Sequence, residues 1–259
     1  MINSLAMHRL GKLRSSKIIW VFVGGCLFLA LTVFLPVVLF SKLATIAVAG
    51  QSAAATFFKL VNFMGHLAAL ILGITAWRQD YRDGTLLTFA ARPIARIELL
   101  AGKVLGSFYG LLIYLAIAVI LYALVHLIFF HFRIPAVAPL YLFQLLAGWI
   151  STFSLGLLFS NFGNPLMATF LAAAYWLLSL LGGIFQKVPV ETLQTIGNVL
   201  RLISIDNDRT YRLEEILKSD LPTVAPILQT IAYYGLWALL LLAITVVLFN
   251  RREFVGKRS

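Results

Sequence analysis

Six stretches of this chain are each apolar for about 20 residues or more, and a bilayer is the environment that demands that length. A helix rises about 1.5 Å per residue, so about 20 residues cross roughly 30 Å of hydrocarbon. The runs fall at roughly 18–40, 56–77, 104–130, 140–160, 165–186 and 225–249. Backbone N–H and C=O groups find no water in hydrocarbon, so an open chain satisfies them within each segment as an α-helix. Of the 259 residues, 61% are hydrophobic and 12% charged, too few charges to cover a soluble domain of this length. The expected fold is an all-α integral membrane protein, a six-helix transmembrane bundle forming a single domain over 1–259.

The net charge of +11 reads as orientation. Arg9, Lys12, Arg14 and Lys17 precede the first run; Arg78, Arg82, Arg92, Arg96 and Lys103 lie between the second and third; Arg251, Arg252, Lys257 and Arg258 follow the last. Lys42, Lys59 and Arg133 are sparse by comparison, and the basic residues of the long fifth connection are offset by six acids. Cations gather on the cytoplasmic side, so both termini are expected there, which requires an even number of spans. No basic, aromatic surface is left over for nucleic acid. Cys26 stands alone and builds neither a disulfide nor a thiolate metal site. The basic start and Ala47-Val48-Ala49 imitate a signal peptide, but 18–40 is too long for its apolar core and the Ala-x-Ala lies beyond it; an uncleaved anchor is expected.

Two segments outside the spans are amphipathic. In 2–16, Ile2, Leu5, Ala6, Leu10 and Leu13 share a helical face, with His8, Gly11, Lys12 and Arg14 opposite. Arg9 intrudes on the apolar side. Such a helix is expected in the interface plane, its cations near lipid phosphates. In 187–224, Leu193, Ile196, Val199, Leu200 and Ile203 fall on one face after Pro189, and a second short helix is expected near 213–218. Together they suggest a helical hairpin on the outer mouth of the bundle.

Polar residues inside spans are few. Asn62 and His66 lie four apart on the second run; Gln144, Ser151 and Ser154 lie on the fourth. They fit a polar stripe along a translocation path, or helix–helix hydrogen bonds of the kind common in bundles. Gly24, Gly25, Gly65, Gly73, Gly106, Gly110, Gly182 and Gly183 read as points of close helix contact. Gly11-Lys12, Gly102-Lys103 and Gly256-Lys257 lack the remainder of a phosphate-binding loop. His8, His66, His126 and His131 are dispersed, and the runs hold no Asp or Glu, so catalytic and metal sites are not expected.

The most patterned segment is the connection 78–103. Asp83-Gly84 makes a turn and Thr85 caps a short helix with Leu86, Leu87 and Phe89 on its apolar side. Arg92-Pro93 ends it, and Pro93 starts the helix that continues into the third run. The result is a short transverse helix below the membrane, either a knob for a partner's groove or a simple join between spans. The segment resembles ABC-2-type transporter permeases at Asp80, Gly84, Thr85, Leu86, Phe89, Pro93, Ile94, Arg96, Gly102 and Lys103. It departs from the family pattern in Asp80, where Glu is usual, and Phe89, where Leu is usual; both keep chemical type. The N-terminal amphipathic helix, the six runs, the segment before the last run and the basic tail 249–254 also look like that family.

The resemblance implies a coupling helix. Leu86, Leu87 and Phe89 would fill a groove on a separate ATPase subunit, while Asp80, Arg82, Asp83, Arg92 and Arg96 set its orientation. It implies two cytoplasmic ABC ATPase subunits that bind ATP and Mg, with no cofactor in this chain. A second permease copy or homologue would complete the path, and the 187–224 segment would gate its exit. Export is favoured, from a multi-pass bacterial inner or plasma membrane, with lipids as the surrounding partners. A lipid, drug, peptide or glycan cargo fits equally well. The rivals are a non-transporting assembly or anchoring subunit and an intramembrane enzyme.

Overall fold

A computed structural model of the chain describes residues 2–15, 18–39, 46–76, 96–130, 138–161, 164–205 and 224–251. The elements among them are helical: α1 (Ile2–Ser15), α2 (Ile18–Leu39), α3 (Ile46–Ile74), α4 (Arg96–Val125) ending in a π turn (His126–Phe130), α5 (Ala138–Ser160), α6 (Pro165–Lys187), α7 (Glu191–Ile203) and α8 (Val224–Arg251). No strand occurs among the described residues.

Among the described residues, five helices are long and apolar enough to cross a bilayer: Gly50–Ile74, Ile97–Ile128, Ala138–Ser160, Leu166–Lys187 and Val224–Phe249. The apolar stretch of α2, Trp20–Pro36, is shorter, within a helix of 22 residues. The second run, expected from 56, is helical from Ile46. Gly50, Gln51 and Ser52 interrupt the apolar run there, so the apolar pattern alone starts too late, while the alanines around them favour helix. Between α5 and α6 the chain turns at once. Asn164 caps α6 by accepting from Leu166 N at 3.0 Å, and Pro165 takes the first helical position, where a missing N–H costs little.

The centre of the bundle is α5. Of its apolar window 67% is buried, against 56% for α3 and 22% for α8. Glycine decides how closely α3 and α5 approach. A Cβ on Gly73 would collide with Phe153 O and lie 2.8 Å from Leu157 N; one on Gly156 would lie 2.7 Å from Leu70 O. Gly65 leaves the space that the Trp149 indole fills. Lipid tails are as apolar as leucine, so helices in hydrocarbon associate through such close packing. On its other side α5 meets α8, where Leu155 packs with Tyr234 and Leu241.

At the end where α3 and α5 begin, aromatic rings knit the helices. Phe34 of α2 stands 5.1 Å from Phe57 of α3. Phe58 stands 5.2 Å from Tyr122 of α4 and 6.1 Å from Tyr141 of α5, both edge to face, the arrangement aromatic quadrupoles favour. Outward faces carry Phe28, Leu31 and Leu35 on α2, Phe170 and Leu177 on α6, and Leu236 and Leu239 on α8, all exposed and suited to hydrocarbon.

The segment after α6 folds back along it. Gly197 of α7 lies against Gly182 and Gln186, where a Cβ would sit 3.0 Å from backbone atoms. Gln186 donates to Asn198 Oδ1 at 2.6 Å, and Ser179 donates to Ile205 O at 2.6 Å. Ser179 is eight residues before the end of α6, so the returning chain reaches about 12 Å back along it. There Ile205 is buried with Leu155, Tyr234 and Leu241. The described part of the 187–224 segment, expected on the mouth of the bundle, returns along α6 and is buried at Ile205. The expected helix near 213–218 lies outside the described residues.

The glycines differ in what they predict. Gly73→Val is expected to destabilise by about 1–3 kcal/mol, because α3 and α5 must separate. Gly24, expected to be a contact point, has nothing within 4 Å of where its Cβ would be, and Gly24→Ala should leave the melting temperature in detergent unchanged or slightly raised. Thermal unfolding of the two variants checks the pair.

Candidate functional site

The connection 78–103 sits between two ends that the structure joins. α3 finishes at Ile74 and α4 starts at Arg96. A helix C-terminus leaves its last carbonyls without intrahelical donors and carries partial negative charge. Here cations from two other elements meet it. Lys103 of α4 donates through Nζ to Ala76 O. Arg9 of α1 donates through Nη2 to Leu72 O at 3.4 Å. Both are buried, Arg9 at 3% and Lys103 at 4% exposure. Thr75 adds a bond from its hydroxyl to Ile71 O at 2.7 Å.

Arg9 reaches this position because α1 packs directly on α4. A Cβ on Gly106 would lie 2.7 Å from both Ala6 O and Arg9 Cβ, while Ala6 and Leu13 are buried on the same side. The cation that interrupts the apolar face of α1 is thus directed to the end of α3. The interruption was visible in the sequence; its partner, 63 positions away, was not. Lys103 has a similar history. It closes the Gly102-Lys103 pair of the family resemblance, and in three dimensions it ties the start of α4 to the end of α3.

Of the residues expected to dock an ATPase, Asp80, Arg82, Asp83, Gly84, Thr85, Leu86, Leu87, Phe89, Arg92 and Pro93 lie outside the described residues. Arg96 is the first residue of α4.

The candidates for a translocation path lie on α3 and α5. His66 Nδ1 lies 2.8 Å from Thr152 Oγ1. Thr152 Oγ1 also lies 3.1 Å from Gly148 O of its own helix. Trp149 Nε1 donates to Asn62 Oδ1 at 3.0 Å and Asn62 O at 3.2 Å. Ser151 donates to Gly148 O of its own helix at 2.8 Å. Gln144 is fully buried, as is Ser151, and His66 is 4% exposed. Asn62 is half-buried and keeps some surface. The bonds of Asn62 and His66 tie α3 to α5. Thr152 and Trp149, the partners on α5, were not singled out by sequence because threonine and tryptophan are ordinary residues in a span.

The expected outer-gate residues lie on α7. Leu193 and Leu200 are half-buried, whereas Ile196 and Val199 are exposed; Ile203 ends the helix. One part of the apolar face therefore packs in the bundle and another part is uncovered.

Removing a buried donor leaves its acceptor without a partner, a loss of about 1–3 kcal/mol. Lys103→Met is expected to fall in that range, and Lys103→Arg, which keeps a donor and the charge, to lose less. Thermal unfolding in detergent reads the difference.

Among curated proteins none matches the chain. The sequence model of ABC-2 family transporter proteins matches residues 27–254, nearly the whole bundle. With several helices long and apolar enough to span a bilayer, the chain is a multi-pass membrane protein, and it belongs to the ABC-2 family of transporter proteins.

Proposed function

We propose that the chain is the membrane-spanning permease subunit of an ATP-driven exporter, worked by separate ATPase subunits through the 78–103 segment. The observation that carries this reading is the family match over 27–254, on a chain whose α3 and α4 are bonded together at the two ends of that segment. ABC-2 permeases associate in general with ABC ATPases. Two such subunits would hold ATP and Mg and close on ATP. The 85–91 stretches of two permease copies, or of this chain and a homologue, would be drawn together.

The mechanical consequence follows from the packing. Force on the connection enters α3 and α4 as a pair, because Lys103 bridges them. It passes from α3 to α5 through the contact of Gly73 with the backbone around Phe153 and Leu157. The α6–α7 hairpin, seated on α5 and α8 through Ile205, would respond last and gate the exit. On this reading α2 is the sixth span and both termini are cytoplasmic. The path runs along the outer surface of each copy, and of the polar candidates Asn62 is the one with surface to offer it.

Leu86→Asp tests the docking. A charge in an apolar groove is expected to abolish copurification of the chain with its ATPase, and transport into vesicles with it, while the bundle melts at the same temperature. Unchanged association with the ATPase would remove the coupling role and favour a non-transporting assembly subunit.

A further inference from the structure

The two flanks of α7 differ in chemistry. Gly197, Leu200 and Arg201 lie against Gly182 or Gln186 and form the side that packs on α6. To one side of that contact, at about 100° per residue, stand Ile196 and Val199, 42% and 53% exposed. To the other side stand Gln194 and Asn198, also exposed. The bonds of Ser179 to Ile205 and of Gln186 to Asn198 make α7 antiparallel to α6. With both helices right-handed, that direction puts Ile196 and Val199 on the side of Leu178 and Leu181, which α6 also leaves exposed. Gln194 and Asn198 fall on the side of the buried Gly183.

The same contacts set the depth of these flanks. α6 is long and apolar enough to span the bilayer over Leu166–Lys187. Leu200 stands against Gly182, five residues before the end of α6, so its neighbour Val199 lies about 6–8 Å inside the end of the span. An interfacial amphipathic helix buries its apolar face by about 5–10 Å. A second helix suits the exposed flank poorly. Helices in hydrocarbon approach through small residues, as this bundle does at Gly73, Gly156 and Gly197, and here the glycine stands on the side already used. Acyl chains need no such residue, and the branched side chains of the flank continue the exposed apolar surface of α6. Gln194 and Asn198 belong in water, because hydrocarbon offers their amides no hydrogen bonds.

We propose that α7 is a re-entrant helix whose Ile196 and Val199 flank lies among the acyl chains of the leaflet in which α6 ends, while its Gln194 and Asn198 flank faces water. The α6–α7 hairpin then divides lipid from the aqueous mouth of the bundle, and any movement of α7 displaces acyl chains on one side and water on the other. The inference needs only that α6 spans the bilayer. It is independent of ATPase docking and of the direction of transport, and its test requires neither.

Cys26→Ala removes the single cysteine of the chain, and Ile196→Cys, Val199→Cys, Gln194→Cys and Asn198→Cys are then introduced one at a time. Each full-length chain is labelled with a nitroxide and reconstituted into phosphatidylcholine vesicles. Its spin relaxation is measured with oxygen, which partitions into hydrocarbon, and with a nickel chelate, which stays in water. The ratio of oxygen to nickel accessibility should be several-fold higher for Ile196→Cys and Val199→Cys than for Gln194→Cys and Asn198→Cys. Phe170→Cys, on the exposed face of α6, supplies the hydrocarbon reference, and Glu191→Cys, at the exposed start of α7, the water reference. A thermal melt confirms that each labelled chain is folded; should one fail it, the other position on the same flank carries the comparison. Equal ratios on the two flanks overturn the proposal. So does low accessibility to both reagents for Ile196→Cys and Val199→Cys, the result expected if a second copy or another part of the chain covers that flank.

Discussion

Where α3 crosses α5, backbone lies against backbone with no side chain between. Gly73 stands against Phe153 O and Leu157 N, and Gly156 against Leu70 O. In water a helix pair gains by hiding apolar surface, but in hydrocarbon that gain is nearly absent, and contact distance becomes the main source of attraction. The rest of the bundle is arranged by this approach. It brings the Trp149 ring into the space over Gly65 and sets His66 within hydrogen-bonding distance of Thr152. It also makes α5 the helix on which α8 and the α6–α7 hairpin pack.

The two ends of the bundle are held by different chemistry. At one end, Phe34, Phe57, Phe58, Tyr122 and Tyr141 form a continuous set of ring contacts. At the other, two buried cations bond Leu72 O in the last turn of α3 and Ala76 O just beyond it. Ring contacts resist separation without fixing one rotation, whereas bonds to particular carbonyls fix both position and direction. The directional end is the one from which the 78–103 segment departs. Lys103 bonds the two helices that this segment connects.

Much of the polar content has a structural use that spacing alone does not reveal. Asn62 and His66 were recognisable as a pair because four residues return a helix to the same face. Whether that face meets a path or another helix depends on α5, almost 90 positions later in the chain. The glycines divide in the same way. Gly65, Gly73 and Gly106 admit a neighbouring helix, while Gly24 and Gly25 face open space, and a sequence writes all of them with the same letter. The apolar face of 187–203 was legible from its period, yet its return along α6 rests on Gly182, Gly197 and the Ser179 bond to Ile205.

That the chain is helical and crosses a membrane was already written in its residues, because hydrocarbon imposes a length and a backbone requirement on each segment separately. The transporter family was legible there too, through a motif contained in one connection. Which helix lies at the centre, which polar side chains face one another and where the buried charges find their partners emerged only from packing in three dimensions. Those outcomes depend on contacts between residues far apart in the chain, and a local pattern states what a segment requires without naming the segment that supplies it.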